Sequence, residues 1–244
     1  MKLSDNTVLI TGGGSGIGLA LAKAFARRGN TVIVCGCNAQ KLEAVHKENP
    51  AIVVVPCDIA RDLDQQHLVE TVTQKYPNLN VLINNAGIQH NYDFSDAKDH
   101  TGLIDDEINI NFLAQVKLTD RFLPLLARRP HAAIVNITSA LALAPKQSAP
   151  VYCATKAALH TFTKALRYQL EHTPIKVFEI IPALVDTDMT TGRGTGKISP
   201  EALAEEALRG LESEKYEIRI GKTKLLFALH RFLPSVAERM IRNG

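Results

Sequence analysis

Thr7-Val8-Leu9-Ile10-Thr11-Gly12-Gly13-Gly14-Ser15-Gly16-Ile17-Gly18 decides how the rest of the chain is read. Thr7 to Ile10 is a β-rich run. A glycine turn follows at once. Then Ile17, Leu21, Ala24, Phe25 and Arg28 recur at helix spacing until Gly29-Asn30 closes the segment. Strand, glycine turn, helix is the setting in which a phosphate-binding turn has meaning. Glycine permits the tight turn and close backbone approach, and a helix N-terminus offers free N–H groups with partial positive charge. The spacing is G-x-x-x-G-x-G rather than G-x-G-x-x-G. A glycine loop alone is a weak signal, but this one sits in the right place, so nucleotide binding is favoured over a plain turn.

Outward from that unit, strands and helices alternate. Thr31 to Cys35 is the second strand, and Gln40 to Glu48 the next helix. Between them lies Cys35-Gly36-Cys37-Asn38, where an acidic residue would bind the ribose of NAD and a nearby Arg would accommodate the 2′-phosphate of NADP. Neither is present. The missing Asp leans towards NADP, and the missing Arg weakens that lean. Cys37 and Asn38 are candidate cofactor contacts, although Cys37 also reads as a small residue lining a pocket. Ile52 to Val55 is a continuous β-branched run, as in a strand buried on both faces. Asp58 follows; it suits either an adenine amino group or the cap of the helix that begins near Arg61.

Val81 to Ile83 is a fourth strand, running into Asn84-Asn85-Ala86-Gly87. Small residues there let a ligand approach the backbone, while the Asn side chains suit ties between strand ends. Gln89 to Asp99 is polar and irregular, a candidate cleft rim. Leu103 to Leu126 carries an apolar stripe, with an outer face suited to subunit contact; Asn111 sits within it, where an amide disfavours a helix interior. Ala133 to Ile137 and Ile175 to Ile180 are further strands, and Glu217 to Ile220 a last one. Residues 184–200 form a candidate substrate loop, with Gly192, Gly194 and Gly196 supplying a lid-like stretch. The tail, about 222–242, reads as an apolar-basic helical pattern broken at Pro234. Packing on its own domain or a neighbouring subunit is preferred to a membrane surface.

The pattern predicts one α/β domain over 1–244: a doubly wound parallel sheet (Rossmann fold) with helices on both faces. Ligands in such sheets sit beyond the carboxyl ends of the strands. Gly12 to Gly18, Cys37, Asp58, Asn84 to Gly87, Ser139 and Pro182 to Thr187 all follow strand ends and therefore converge. A net charge of +3, with isolated Arg27-Arg28 and Arg128-Arg129, leaves no nucleic-acid footprint. The polar start is no signal peptide, and no run is long enough to span a bilayer. Cys35, Cys37, Cys57 and Cys153 lack a C-x-x-C pair and read as buried free thiols, which places the chain in the cytoplasm. No metal site is expected.

Tyr152-Cys153-Ala154-Thr155-Lys156 opens a long apolar-periodic helix reaching Glu171. Tyr152 and Lys156 lie one turn apart on one face. A nearby ammonium favours the phenolate, which would bring the phenol towards proton exchange near neutral pH. By spacing alone the pair is a common coincidence. Its neighbours change that.

Thr11 to Gly18, Asn84 to Gly87, Asn111, Ser139, Tyr152-x-x-x-Lys156 and Pro182-x-x-Val-x-Thr187 together resemble the short-chain dehydrogenase/reductase family, over nearly the whole chain. Thr7 to Leu21 and Tyr76 to Gln89 look most similar to the oxidoreductases associated with D-alanylation operons. The resemblance implies reversible hydride transfer between NADP or NAD and a small carbonyl or secondary alcohol. It implies Tyr152 as general acid/base, Lys156 lowering its pKa and binding the nicotinamide ribose, and Ser139 holding the substrate oxygen. Asn111 would position a water beside Lys156. Gly12, Ser15, Gly16, Ile17 and Gly18 would hold the phosphates, Asp58 and Ile59 the adenine, and Asn85, Ala86 and Gly87 the adjacent ribose. Val185 and Thr187 would hold the carboxamide. A homodimer or homotetramer follows from the same likeness. Ala183 departs from the family's usual Gly, and Cys37 from the Arg of NADP-preferring relatives. The expected substrate wall is Ile88, Leu141, Leu143, Leu184 and Met189. Two other readings stand beside this one. A silent nucleotide-binding regulator has no need of a tuned phenol. A reductase of carrier-linked 3-oxoacyl groups needs a basic surface beside the cleft, which the sequence does not place.

Overall fold

The computed structural model describes residues 1–242. Seven strands, all parallel, form one sheet in the order β3-β2-β1-β4-β5-β6-β7. They are β1 (Thr7–Thr11), β2 (Thr31–Gly36), β3 (Ile52–Pro56), β4 (Val81–Asn84), β5 (Ala132–Ile137), β6 (Ile175–Ile181) and β7 (Glu217–Arg219). The chain winds outward from β1 to β3, then returns to lay β4 beside β1. That reversal opens a crevice at the carboxyl ends of β1 and β4, where the fold places ligands.

The central strands are mostly apolar because both their faces are covered, whereas the edge strand β7 carries Glu217 and Arg219. Val8, Ile10, Val34 and Ile83 pack into one core with Leu21 and Phe25 of α1 (Gly16–Ala26) and Leu203 and Leu208 of α7 (Pro200–Glu212). Leu9, Ile33, Leu82 and Ile134 point the other way, against Leu68 and Val72 of α3 (Asp62–Lys75) and Leu118 and Phe122 of α5 (Ala114–Leu126). Period-two alternation thus feeds two cores.

The expected helix from Leu103 to Leu126 is not continuous. α4 (Thr101–Ile108) widens into a π-helical turn, Asn109–Leu113, before α5 resumes. Such a turn re-aims its side chains, and here it buries Asn111. α6 spans Pro150–Gln169, two residues short of the predicted end at Glu171, and α2 spans Ala39–Glu48. The tail forms α8 (Thr223–Phe232) and α9 (Pro234–Arg242), broken at Pro234 as the sequence predicts. It packs on its own domain: Leu226 and Ala237 meet Ala144, and the Gln147 amide donates to the Arg242 carbonyl at 3.0 Å. Among the described residues no helix is long and apolar enough to cross a membrane.

Of the four cysteines expected to be buried, Cys35, Cys57 and Cys153 are; Cys37 is exposed. The reason is positional: Cys37 lies just beyond the end of β2, where cover from α2 has not begun.

Candidate active site

The turn after β1 is shaped by positive backbone angles, φ +65° at Gly12 and +53° at Gly16, which favour glycine. A Cβ on Gly12 would lie 2.8 Å from Ala86 Cα, so a side chain there would collide with the segment following β4. α1 then starts with no acidic residue in its first turn, and Ser15 makes no side-chain cap. The first N–H groups therefore face the crevice unclaimed by a capping side chain, the arrangement that receives an anion.

Thr11 locks this turn to its neighbour. Its buried Oγ1 accepts from the amides of Asn85 and Ala86, each at 3.0 Å. Asn85 Nδ2 donates back to the carbonyls of Thr11 (2.9 Å) and Gly12 (3.2 Å). Asn84 serves the strand-tying role: its Nδ2 donates to Thr119 Oγ1 and Asn136 Oδ1.

The resulting cleft is lined by Gly12, Ser15, Gly16, Ile17, Cys37, Asp58, Ile59, Asn85, Ala86, Gly87, Tyr152, Lys156 and Thr187, all anticipated from the sequence. It is also lined by Cys57, Ile110 and Thr138, which sequence reasoning missed; they belong to elements whose facing only the assembled sheet reveals. Of the expected substrate wall, Ile88 and Met189 line the cleft while Leu141, Leu143 and Leu184 do not, and five anticipated catalytic or cofactor residues also stand outside the lining. Gly18 is a packing glycine, since a Cβ would fall 2.3 Å from the Gly12 carbonyl oxygen and 2.5 Å from Asn85 Nδ2. Asn38 caps α2, its Oδ1 accepting from the Lys41 amide at 2.9 Å. Val185 is buried and bridges to Ile198, closing the base of the loop over 184–200. Ser139 and Asn111 are buried outside the lining. Asp58 does not cap α3, whose N-cap is Arg61; its Oδ1 accepts from the Ala60 amide instead, at 3.0 Å.

Asn111 Oδ1 accepts from the Ile88 amide at 2.8 Å and its Nδ2 donates to the Ile88 carbonyl at 2.9 Å. The amide is thus engaged in holding the segment that follows β4, the satisfied buried Asn that a helix interior requires. Both Asn111 Oδ1 and Lys156 Nζ border Gly87: a Cβ there would lie 3.1 Å from one and 3.6 Å from the other.

Tyr152 and Lys156 share a helix face as expected, both buried. The expected pKa coupling is corrected, however. Burial pushes the Tyr152 phenol up to about 12, and hydrogen bonding to Ser139 opposes this. Lys156 is pushed down to about 8, also by burial. Its Nζ donates to the Ile137 carbonyl at 2.9 Å and lies 5.8 Å from the centre of the phenol ring. The last carbonyl of β5 sits at the depth the ammonium reaches and accepts its hydrogen bond.

One contact across the mouth was invisible in the sequence. Lys41 of α2 pairs with Asp188, beyond β6, at 2.7 Å. The Lys41 stem lies near the glycine turn, 3.5 Å from where a Cβ on Gly14 would stand.

A sequence model described as short chain dehydrogenase matches residues 6–197. The chain belongs to this family. It is 45% identical over 227 residues to the uncharacterized oxidoreductase DltE of Bacillus subtilis (strain 168), covering 89% of each chain; this agrees with the closer likeness read from Thr7 to Leu21 and Tyr76 to Gln89. A short-chain dehydrogenase of Sphingobium yanoikuyae, solved in complex with NADPH, superposes with a TM-score of 0.80 at 26% identity, over 94% of this chain and 95% of the other. A short chain dehydrogenase of Burkholderia cenocepacia J2315, in complex with NADP, superposes over the full length of both with a TM-score of 0.88 at 22% identity, which supports the fold.

Proposed function

We propose that this chain is an NAD(P)-dependent oxidoreductase that interconverts a carbonyl and a secondary alcohol. The single observation that carries the reading is the placement of the buried Tyr152 phenol, flanked by Ser139, at one end of a cleft whose other end is a glycine cradle on a helix N-terminus. The residues fit the cofactor: Gly12, Ser15, Gly16 and Ile17 would hold the phosphates, Asp58 and Ile59 the adenine, Asn85 to Gly87 the adjacent ribose, and Thr187 the carboxamide. When bound, the nicotinamide supplies a hydride to the carbonyl carbon or takes one from the alcohol carbon.

In reduction Tyr152 Oη gives its proton to the carbonyl oxygen as negative charge gathers there, and the Ser139 hydroxyl donates a hydrogen bond to the same oxygen. A phenol held up near 12 remains fully protonated at neutral pH, ready to act as the acid. In oxidation the roles reverse, and the phenolate form must be reached. Lys156 assists by its charge on that form and by its reach to the ribose. Lys41, whose stem lies near the glycine turn while its ammonium pairs with Asp188, adds a cation that the sequence reading lacked and supports the lean towards NADP.

The test is Tyr152→Phe. With a reactive dicarbonyl, this variant should lose NAD(P)H oxidation while retaining cofactor binding by fluorescence titration. Turnover at the wild-type rate would refute the assignment.

A further inference from the structure

Packing of the tail on its own domain uses only one side of each helix. Leu226 and Leu229 of α8 and Ala237 and Ile241 of α9 form a small core with Ala140 and Ala144. The outer side stands in water. In α8, Leu225, Ala228 and Phe232 are exposed and recur at i, i+3, i+7, which sets them in one stripe. In α9, Val236 and Met240 are exposed one turn apart, and Leu233 is exposed at the joint between the helices. Phe232 is 76% exposed, Leu225 66% and Met240 62%, against 44% and 42% for Ile108 and Leu113 on the α4–α5 run. Single exposed apolar side chains are ordinary, but five large ones within residues 225–240 make a patch.

The charge of the same stretch is lopsided. Residues 222–242 carry Lys222, Lys224, Arg231, Arg239 and Arg242 against Glu238 alone, a net +4 where the whole chain has +3. Lys224 pairs with Glu206. The other four cations are exposed, and among the described residues no carboxylate lies within ion-pair distance of them. Arg231 and Arg239 directly precede Phe232 and Met240 in the chain, and the Arg231 guanidinium lies 5.9 Å from the centre of the Phe232 ring. Free positive charge therefore flanks the apolar stripe.

An occupant of this face must answer both features at once. A second copy docked about a two-fold axis would cover the apolar stripe but set Arg231, Arg239 and Arg242 among their own counterparts, where like charges repel. An anionic bilayer answers both, with acyl chains for the stripe and headgroups for the guanidinium groups. We infer that the outer side of the α8–α9 hairpin is a docking face for an anionic phospholipid surface, with Leu225, Phe232 and Met240 entering the acyl boundary and Arg231 and Arg239 meeting phosphates. Such a hairpin lies on the membrane and needs no spanning helix. None of these residues lines the cleft, so the face stands apart from the oxidoreductase reading.

The test is co-sedimentation of the full chain with vesicles of phosphatidylcholine alone and of equal parts phosphatidylcholine and phosphatidylglycerol. Wild type should bind the anionic vesicles about tenfold more strongly, and raised salt should weaken that preference. Phe232→Ser should weaken binding about tenfold. The double variant Arg231→Gln/Arg239→Gln should lose most of the preference for anionic vesicles. All three side chains are exposed, so the variants should keep the wild-type melting temperature. Hydrogen exchange of wild type, with and without anionic vesicles, tests the face with no substitution: new protection should fall within residues 225–240. Binding to neither vesicle, equal binding to both, or binding indifferent to Phe232 overturns the inference. Sedimentation of the free protein tests the competing occupant: an assembly that dissociates in Phe232→Ser, with no vesicle binding, gives the face to a second copy and likewise overturns it.

Discussion

Lys156 titrates where it does because of what surrounds it, and that can be checked. Burial lowers it from 10.5 to about 8. Between those values the unfolded chain holds a proton that the folded chain has released, so stability rises with pH from about 8 upward. The buried thiols of Cys35 and Cys153, both raised above their ordinary value of 9.0, act in the opposite sense from about there, and the phenols of Tyr152 and Tyr92, each raised to about 12, join them near pH 10. Between urea midpoints at pH 7 and 9.5, wild type should gain on the order of 2 kcal/mol relative to Lys156→Met, in which the thiols act alike. Lys156→Met should lack that rise; an equal rise in the variant would assign it to other groups. Lys41 carries the second prediction at this scale. Lys41→Gln should weaken NADPH binding several-fold and leave NADH nearly unaffected, by fluorescence titration of both. Loss of both cofactors equally would mean that Lys41 matters only through Asp188.

The glycine turn and the π-helical turn are the elements that set the site. Gly18→Ala forces a methyl into the Gly12 carbonyl and Asn85. Thermal and denaturant unfolding should show a loss of about 1–3 kcal/mol, as for overpacking, accompanied by weaker cofactor binding. Asn111→Leu strands the Ile88 amide and carbonyl, and should cost about 1–3 kcal/mol by the same measurement. The contrast between the two elements explains what was legible. The glycine turn is local, and its strand-turn-helix order is written in consecutive residues. The π-helical turn is not. A five-residue widening leaves the apolar periodicity of Leu103 to Leu126 almost unaltered, so the sequence reads as one helix. Its buried amide finds partners only at Ile88, in the segment that follows β4, and at Thr155 of α6.

The molecule as a whole leaves apolar side chains in water at Ile108 and Leu113 on the α4–α5 run and at Tyr168 on α6. We expect this side to pair with a second copy. Sedimentation should report a dimer or tetramer, and Leu113→Glu should shift it towards monomer; an unchanged assembly would direct attention to the tail, where Phe232 and Met240 are also exposed.

Sequence by itself determined the alternating strands and helices, the sheet class, the glycine cradle and the Tyr152–Lys156 spacing. All of these are encoded within a few consecutive residues, as periodicity, turn chemistry or helical pitch. Only the tertiary structure decided that Lys156 turns to the Ile137 carbonyl, that Asn38 caps a helix, and that Lys41 meets Asp188 across 147 positions of chain. Such contacts depend on the relative depth and facing of elements that are far apart along the chain. Packing sets those quantities, and no local pattern in the sequence carries them.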